Sequence, residues 1–440
     1  MGLENKVNLK GLLVWFICAL FFMYEFLLRT VVGTFQAQLM SDLRLTTMTF
    51  SLLSTTGYSV IYGVMQIPVG IIATRFGLKK ALLTALIFCA CSTMGMASSH
   101  DFSAAMCFRI LMGLGSSFGF ICLLIAVYDW MPRKNIALFI GISQFIGTLG
   151  PMLAAGPLTS LSQNAMIGWR SIFLSMAIIG FIIAALTLVF VENNRNTQEK
   201  FIILARHSKL SENLLTLLSQ KQVWYIALYS SCIYFAIEYF SENIGVEFLI
   251  KKGFSPAFSS YMITLAWLGY ALGCPLLGFV SDKIQRRKPV MLTTALISLL
   301  ALSGIIYFPV GKFLIGLCFL CLGLSASGQS IGFAAIAEQC KKNLLAIGLA
   351  FNNAMIAIII SINAPLMGSM LSYPVQIENT QKVFIILIIF SIIATLISAF
   401  TIKETFGKSV RENTVLSLSN SPVIPSAARD LQQTARTKLM

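Results

Sequence analysis

The sequence predicts an all-α membrane protein of twelve transmembrane helices, arranged as two pseudo-symmetric six-helix bundles. Composition is the first observation: soluble domains are about 45–50% apolar and about 25% charged, whereas this chain of 440 residues is 57% apolar and 11% charged. Its mean hydropathy is +0.82. The second observation is a series of twelve apolar runs, each long enough for the roughly 20 residues that a bilayer-spanning helix needs. The third is a repeat. Gly70-Ile-Ile-Ala-Thr-Arg-Phe-Gly-Leu-Lys-Lys80 and Gly278-Phe-Val-Ser-Asp-Lys-Ile-Gln-Arg-Arg-Lys288 begin 208 residues apart, and each joins two apolar runs through a glycine, a short turn and adjacent cations. Two related halves in one bilayer account for all three.

The spans of the first half are read at 11–38, 48–73, 79–98, 102–128, 135–160 and 170–191, and those of the second at 222–249, 257–280, 289–309, 312–337, 343–371 and 382–402. This divides the chain into a first bundle over 1–191, a polar linker over 192–221 and a second bundle over 222–402. Residues 403–440 are rich in Ser, Pro, Asn and Gln and are expected to form a disordered tail. The first apolar run lacks a short core followed by a small-residue cleavage site, so it is read as a retained span and not as a signal peptide.

Loop charge sets the orientation. With 1–10, 74–80, 129–134, 192–221, 281–288, 338–342 and 403–440 on one side, that side carries 24 Lys and Arg, against six (Arg44, Arg170, Lys251, Lys252, Lys312 and Lys382) on the other. The positive-inside rule makes the basic side cytoplasmic and puts both termini there. A net charge of +15 therefore reflects topology, and nucleic acid is not an expected partner. The ten cysteines fall in or at the ends of apolar runs, including the Cys318-x-x-Cys321 pair, where packing is the expected role. Arg29 and Arg109 are the two cations that no loop accounts for.

At these residues the chain resembles the major facilitator superfamily. Gly70, Arg75, Gly77, Lys79 and Lys80 match the first copy of that family's loop signature, and Gly278, Asp282, Arg286, Arg287 and Lys288 match the second. Thr74 stands where the first copy carries an acid. Arg109-Ile-Leu-Met-Gly113-Leu-Gly115 resembles the fourth-helix signature, and Gly147-Thr-Leu-Gly150-Pro151 the fifth-helix Gly-Pro element, with Ala154 and Ala155 in place of glycines. Trp169 and Arg170 before span six are also typical. The resemblance covers nearly all of 10–402. It implies that the two loops, through Gly70, Thr74, Arg75, Gly77, Lys79, Gly278, Asp282, Arg286 and Arg287, help hold one access state closed. Asp282 is expected to face the N-terminus of span five, and Glu338 and Asp129 to partner the basic motifs. Gly113, Gly115, Gly147, Gly150 and Pro151 are expected to pack or kink helices.

Charges inside the spans are the main functional signal. Glu25 and Arg29 in span one, and Glu238 and Glu242 in span seven, occupy i and i+4 positions that correspond at an offset of 213. A charge at mid-membrane costs about 2.5–3.5 kcal/mol on insertion scales, so such groups face a cavity and one another. Glu25 and Arg29 are expected to pair within the helix. Arg29 and Arg109 are candidates to hold a solute carboxylate, because guanidinium binds it bidentately, and Glu25, Glu238 and Glu242 are candidates for proton coupling. Gln144 and Asn352, offset by 208, are expected solute contacts, with Tyr24 adding an aromatic wall.

Together these readings describe a secondary active transporter of a small anionic or zwitterionic solute, such as an organic acid, amino acid or small peptide. Proton symport by alternating access in a cytoplasmic membrane is the expected mode, with efflux or uniport as the alternative. The expectation is of a monomer with the solute, protons and the lipid bilayer as its partners. No enzyme activity, metal or cofactor is expected: His100 and His207 lie in loops, and no P-loop is present.

Overall fold

The computed structural model describes residues 8–132, 136–165, 167–193, 210–308, 311–341, 344–371 and 376–406. Among these, twelve helices are long and apolar enough to cross a membrane: α1 Leu9–Thr34, α2 Thr47–Ala73, α3 Leu78–Ala97, α4 Phe102–Trp130, α5 Leu138–Ser162, α6 Trp169–Phe190, α7 Lys221–Glu242, α8 Pro256–Ile284, α9 Lys288–Ile306, α10 Lys312–Gln339, α11 Leu345–Ser369 and α12 Ile377–Thr401. All-helical spans follow from the bilayer, where each backbone group must find a partner within its own segment. One buried apolar cluster gathers side chains of α1–α6, joined by Ala357. Two more draw on α7–α12, joined by Ala155. Each half thus has its own core.

The internal repeat extends to backbone irregularities. α4 breaks at Ser117 and α10 at Ser327, and in each the serine hydroxyl returns to a carbonyl three residues back, Leu114 and Leu324, at 2.6 Å. Prolines lie inside α2 and α8 at Pro68 and Pro275, and inside α5 and α11 at Pro151 and Pro365. A side chain at Gly113 of α4 would run into the Tyr58 carbonyl of α2, and one at Gly323 of α10 into the Ala266 carbonyl of α8. Gly115 seats α4 on Cys89 and Ala85 of α3, while Gly147 and Gly150 seat α5 on Phe22, Met23 and Leu27 of α1. The expected packing glycines therefore lie at helix crossings, and Pro151 lies inside α5.

Several boundaries differ from the sequence reading. Span one was expected to reach residue 38, but α1 ends before Phe35 and the separate helix Gln36–Asp42 follows. Span seven was expected to reach 249, but the backbone turns at Asn243 (φ −124°, ψ −143°) before the helix Gly245–Lys251. Hydropathy does not register such turns, because the flanking residues are apolar on both sides. The linker contains a helix, Leu210–Leu218, and Lys403–Phe406, expected to belong to a disordered tail, is instead docked on the bundle. Residues 407–440 lie outside the described residues.

Candidate functional site

Arg29 joins the two halves. It projects from α1 to α7, where its Nε donates to Glu242 Oε1 at 3.0 Å and its Nη2 forms an ion pair with Glu238. All three side chains are buried, with Arg29 only 5% exposed. The rings of Phe26 and Tyr62 flank the guanidinium at 5.9 and 5.8 Å. Close approach of α1 to α7 is possible because Gly33 sits against the backbone of Ser241 and Glu242. The expected Glu25–Arg29 pair is corrected: the arginine reaches two carboxylates across the interface, and Glu25 instead accepts the Tyr58 hydroxyl of α2 at 2.8 Å on Oε2. Glu25 lies against Gly119 of α4, and its Oε1 has no hydrogen-bond partner among the described residues.

Arg109 is a different kind of arginine. Its Nη1 donates to the Leu28 carbonyl, and its Nη2 to the carbonyls of Arg29 and Ser54, at 2.6–2.7 Å. Its guanidinium stacks over Tyr58 at 4.6 Å. It thereby ties α4 to α1 and to a single π-turn of α2, Leu52–Thr56. Such turns recur at functional sites, since the altered register redirects backbone and side-chain groups. Arg109 was expected to hold solute; its arms are occupied by backbone, so in this conformation it positions the segment bearing Arg29. Tyr24 is likewise turned away, donating to the Met176 carbonyl of α6 at 3.0 Å.

The π-turn also builds a seal. Asn243 Oδ1 accepts from Ser51 and Ser54, at 2.8 and 3.4 Å, and its Nδ2 donates to Thr55 at 3.1 Å. Thr47 donates to the Gly368 and Leu371 carbonyls at 2.7 and 2.8 Å, and Thr56 to the Ser361 carbonyl at 2.7 Å. These contacts join α2 to α7 and α11 on the face opposite the basic loops. Thr264 of α8 bridges Met152 and Gly156 of α5 at 3.0 and 2.9 Å. Nearer the basic face the last such bond is Asn353 Nδ2 to Gln66 Oε1, at 2.9 Å. Among the described residues none joins the halves beyond it. Among the described residues, the side-chain hydrogen bonds between the halves thus lie from Asn353 toward the face opposite the basic loops. Sequence reasoning missed Asn243 and the hydroxyls at 47, 51 and 54–56; the polar run Ser241-Glu242-Asn243 was the available signal.

Gln144 is half-buried on α5, and its side chain makes no hydrogen bond among the described residues. Asn352 of α11 is fully buried with neither amide atom partnered there. Neither is bonded to the Arg29 cluster.

The two basic loops close different corners. In the first, Gly77 takes φ +87°, a conformation that L side chains rarely adopt, and caps α2 through its N–H to the Ala73 carbonyl at 3.0 Å. Lys79 N–H donates to Asn193 Oδ1 at 2.9 Å, and the exposed Arg75 stacks on Phe76. The side chain of Thr74 lies outside the described residues. In the second, Arg287 pairs with Asp282 at 2.6 Å and Glu338 at 2.8 Å. Burial alone would lower the Arg287 guanidinium, but its bonds to Glu338 and Asp282 outweigh that and hold it above its usual value. Glu404 accepts the N–H groups of Arg287 and Lys288 at 2.8 and 3.0 Å, capping α9. Arg286 lies over Phe406. Asp282 was expected to face the N-terminus of span five; instead it is 71% exposed and bound to its own loop, because Arg287 is within reach five residues on. A side chain at Gly70 or Gly278 would meet nothing within 4 Å, so neither glycine seats one helix on another.

A family model described as Major Facilitator Superfamily matches residues 14–250 and 239–433. The hexuronate transporter of Bacillus subtilis (strain 168) is 26% identical over 265 residues, 57% of this chain and 61% of that one. The probable L-galactonate transporter of Escherichia coli (strain K12) is 25% identical over 127 residues, 29% and 28% respectively. The chain thus spans about three fifths and just over a quarter of these relatives. A D-xylose-proton symporter structure superposes with a TM-score of 0.73 at 16% identity, covering 91% of this chain and 99% of that one. A bacterial homologue of the human lysosomal transporter Spinster, inward-facing and unoccupied, gives 0.71 at 16% identity, covering 89% and 97%. These structures show the shared fold.

Proposed function

Because the chain belongs to the Major Facilitator Superfamily, we propose that it is a secondary active transporter, not an enzyme, that carries a small organic acid together with protons by alternating access. The observation that carries this reading is Arg29 of α1 held between Glu238 and Glu242 of α7. For the site to open to the opposite face, α1 and α7 must separate there. Separation strands a cation on one half and two carboxylates on the other, and breaking a buried ion pair costs about 3–5 kcal/mol. A solute carboxylate replaces the glutamates on Arg29, forming a bidentate pair. Protons then neutralise Glu238 and Glu242. Anion and protons enter as a set, and their loss toward the basic face lets Arg29 return to α7. Glu25 on Tyr58 is a second proton-holding group within the first half.

The relatives named for hexuronate and galactonate support a sugar acid as the solute, its hydroxyls suited to the free amides of Gln144 and Asn352. In this reading the basic face is cytoplasmic, both termini lie there, and a monomer in a cytoplasmic membrane suffices. Gly147 and Gly150 pack α5 on α1, a role that carries no direction of transport and so lends nothing to efflux or uniport. The test is uptake of radiolabelled glucuronate, galacturonate and galactonate into proteoliposomes with and without an inward-acid gradient. Accumulation above equilibrium that requires the gradient is expected. Uptake indifferent to the gradient would overturn the coupling, and failure of every acid would overturn the solute class.

A further inference from the structure

At the basic-face ends of α7, α10 and α12 lies a cleft of about 580 Å³ that the transport cycle above does not use. Its walls include Lys221 at the start of α7, Gln339 at the end of α10, and Phe400 and Lys403 at the end of α12. Gln222 holds the walls together, donating to the Thr401 carbonyl at 2.9 Å and accepting Lys403 N–H at 3.0 Å. Both lysines are exposed, and neither ammonium has a carboxylate partner among the described residues. The nearby acids are committed elsewhere: Glu404 caps α9, while Glu338 holds Arg287 and Thr405. The cleft is therefore cationic, with the side-chain amide of Gln339 available beside it.

We infer that this cleft binds the phosphate headgroup of an anionic phospholipid. Two features favour a lipid over a soluble anion. The cleft lies at the termini of three spans, which is headgroup depth, and paired cations there attract anionic lipid. It also opens onto an apolar stripe of α12, Ile385, Ile389, Ile392, Leu396 and Phe400, all outward-facing and the last 80% exposed. That stripe is placed to carry the acyl chain while Lys221 and Lys403 bracket the phosphate.

Native mass spectrometry of the full chain, titrated with phosphatidylglycerol or phosphatidylcholine, tests this. Phosphatidylglycerol should occupy one site preferentially, and Lys221→Ala with Lys403→Ala should weaken it about thirtyfold, from roughly a fivefold loss at each surface cation. Gln339→Glu, which places a carboxylate in the cleft and leaves both lysines, should also weaken it. Equal binding of the two lipids, or phosphatidylglycerol binding unchanged in both variants, would overturn the inference. So would inorganic phosphate competing the lipid away at comparable concentration, which would make this a site for soluble anions.

Discussion

The two halves share a scaffold but not a charge pattern, and the difference is clearest where each meets the basic face. In the first half the third span is capped by a neutral amide, Asn193 to Lys79 N–H, and the adjacent Glu192 makes an exposed ion pair with Lys10 at 2.7 Å. In the second, the matching position is Glu404, and a network of Arg287, Asp282, Glu338 and Thr405 surrounds it. At the interface the polarity is complementary: the first half supplies Arg29, the second two carboxylates. One fold repeated twice can thus carry opposite charges at equivalent positions, which makes the joint between halves ionic and hence reversible by a competing anion and protons.

Arg29→Ala should give the largest effect. It leaves Glu238 and Glu242 buried without a cation, a loss of about 3–5 kcal/mol from the closed state, and it removes the proposed solute anchor. Proteoliposome uptake should vanish, and the thermal midpoint should fall unless Glu238→Gln and Glu242→Gln are added; no stability rescue by the glutamines would break the interface comparison. Arg109→Lys comes next. One ammonium cannot reproduce three carbonyl contacts on α1 and the π-turn, each charged bond contributing about 1.5–3 kcal/mol, so stability should fall and added guanidinium should not restore uptake.

The caps sharpen the comparison at smaller scale. Glu404→Ala should destabilise the chain by about 1 kcal/mol or more, since it removes a cap and its charge, while Asn193→Ala should lose less. Equal shifts in a melting assay would mean the charge difference between the halves is immaterial there. Asp282→Asn should be milder than Arg287→Ala in the same assay, because Asp282 is solvent-exposed and Arg287 also serves Glu338. The smallest effect belongs to Asp42 on the opposite face, whose carboxyl is held below its usual value by the Trp169 and Arg170 hydrogen bonds. A depressed carboxylate contributes stability above its unfolded value, near 3.9, and loses it as pH falls further. The melting difference between the native chain and Asp42→Asn should therefore be present at pH 7 and close below about pH 4; a pH-independent gap would assign the effect to packing.

Much of this architecture was legible in advance. Twelve apolar runs and the two Gly-to-Lys/Arg loops sufficed for the fold, and of the four charges on α1 and α7 expected to face one another, Arg29, Glu238 and Glu242 do so. The partners were not legible. The i, i+4 spacing of Glu25 and Arg29 favoured a pair within one helix, yet Arg29 turned to α7 because Gly33 admits that helix closely and two carboxylates wait there. Arg109 read as a solute ligand because spacing reports only that a cation lies in the membrane. It is silent on whether carbonyls of a π-turn already occupy the guanidinium.

The sequence alone determined the spans, their repeat, their basic loops and the placing of five ionisable groups, Glu25, Arg29, Arg109, Glu238 and Glu242, inside the spans. These follow from transfer free energies and charge rules that act locally along the chain. Only the tertiary structure decided which groups neutralise which, that Asn243 and the α2 hydroxyls seal one face, and that Glu404 folds back to cap α9. Such pairings depend on distances of about 3 Å between residues far apart in the chain, and no local rule specifies them.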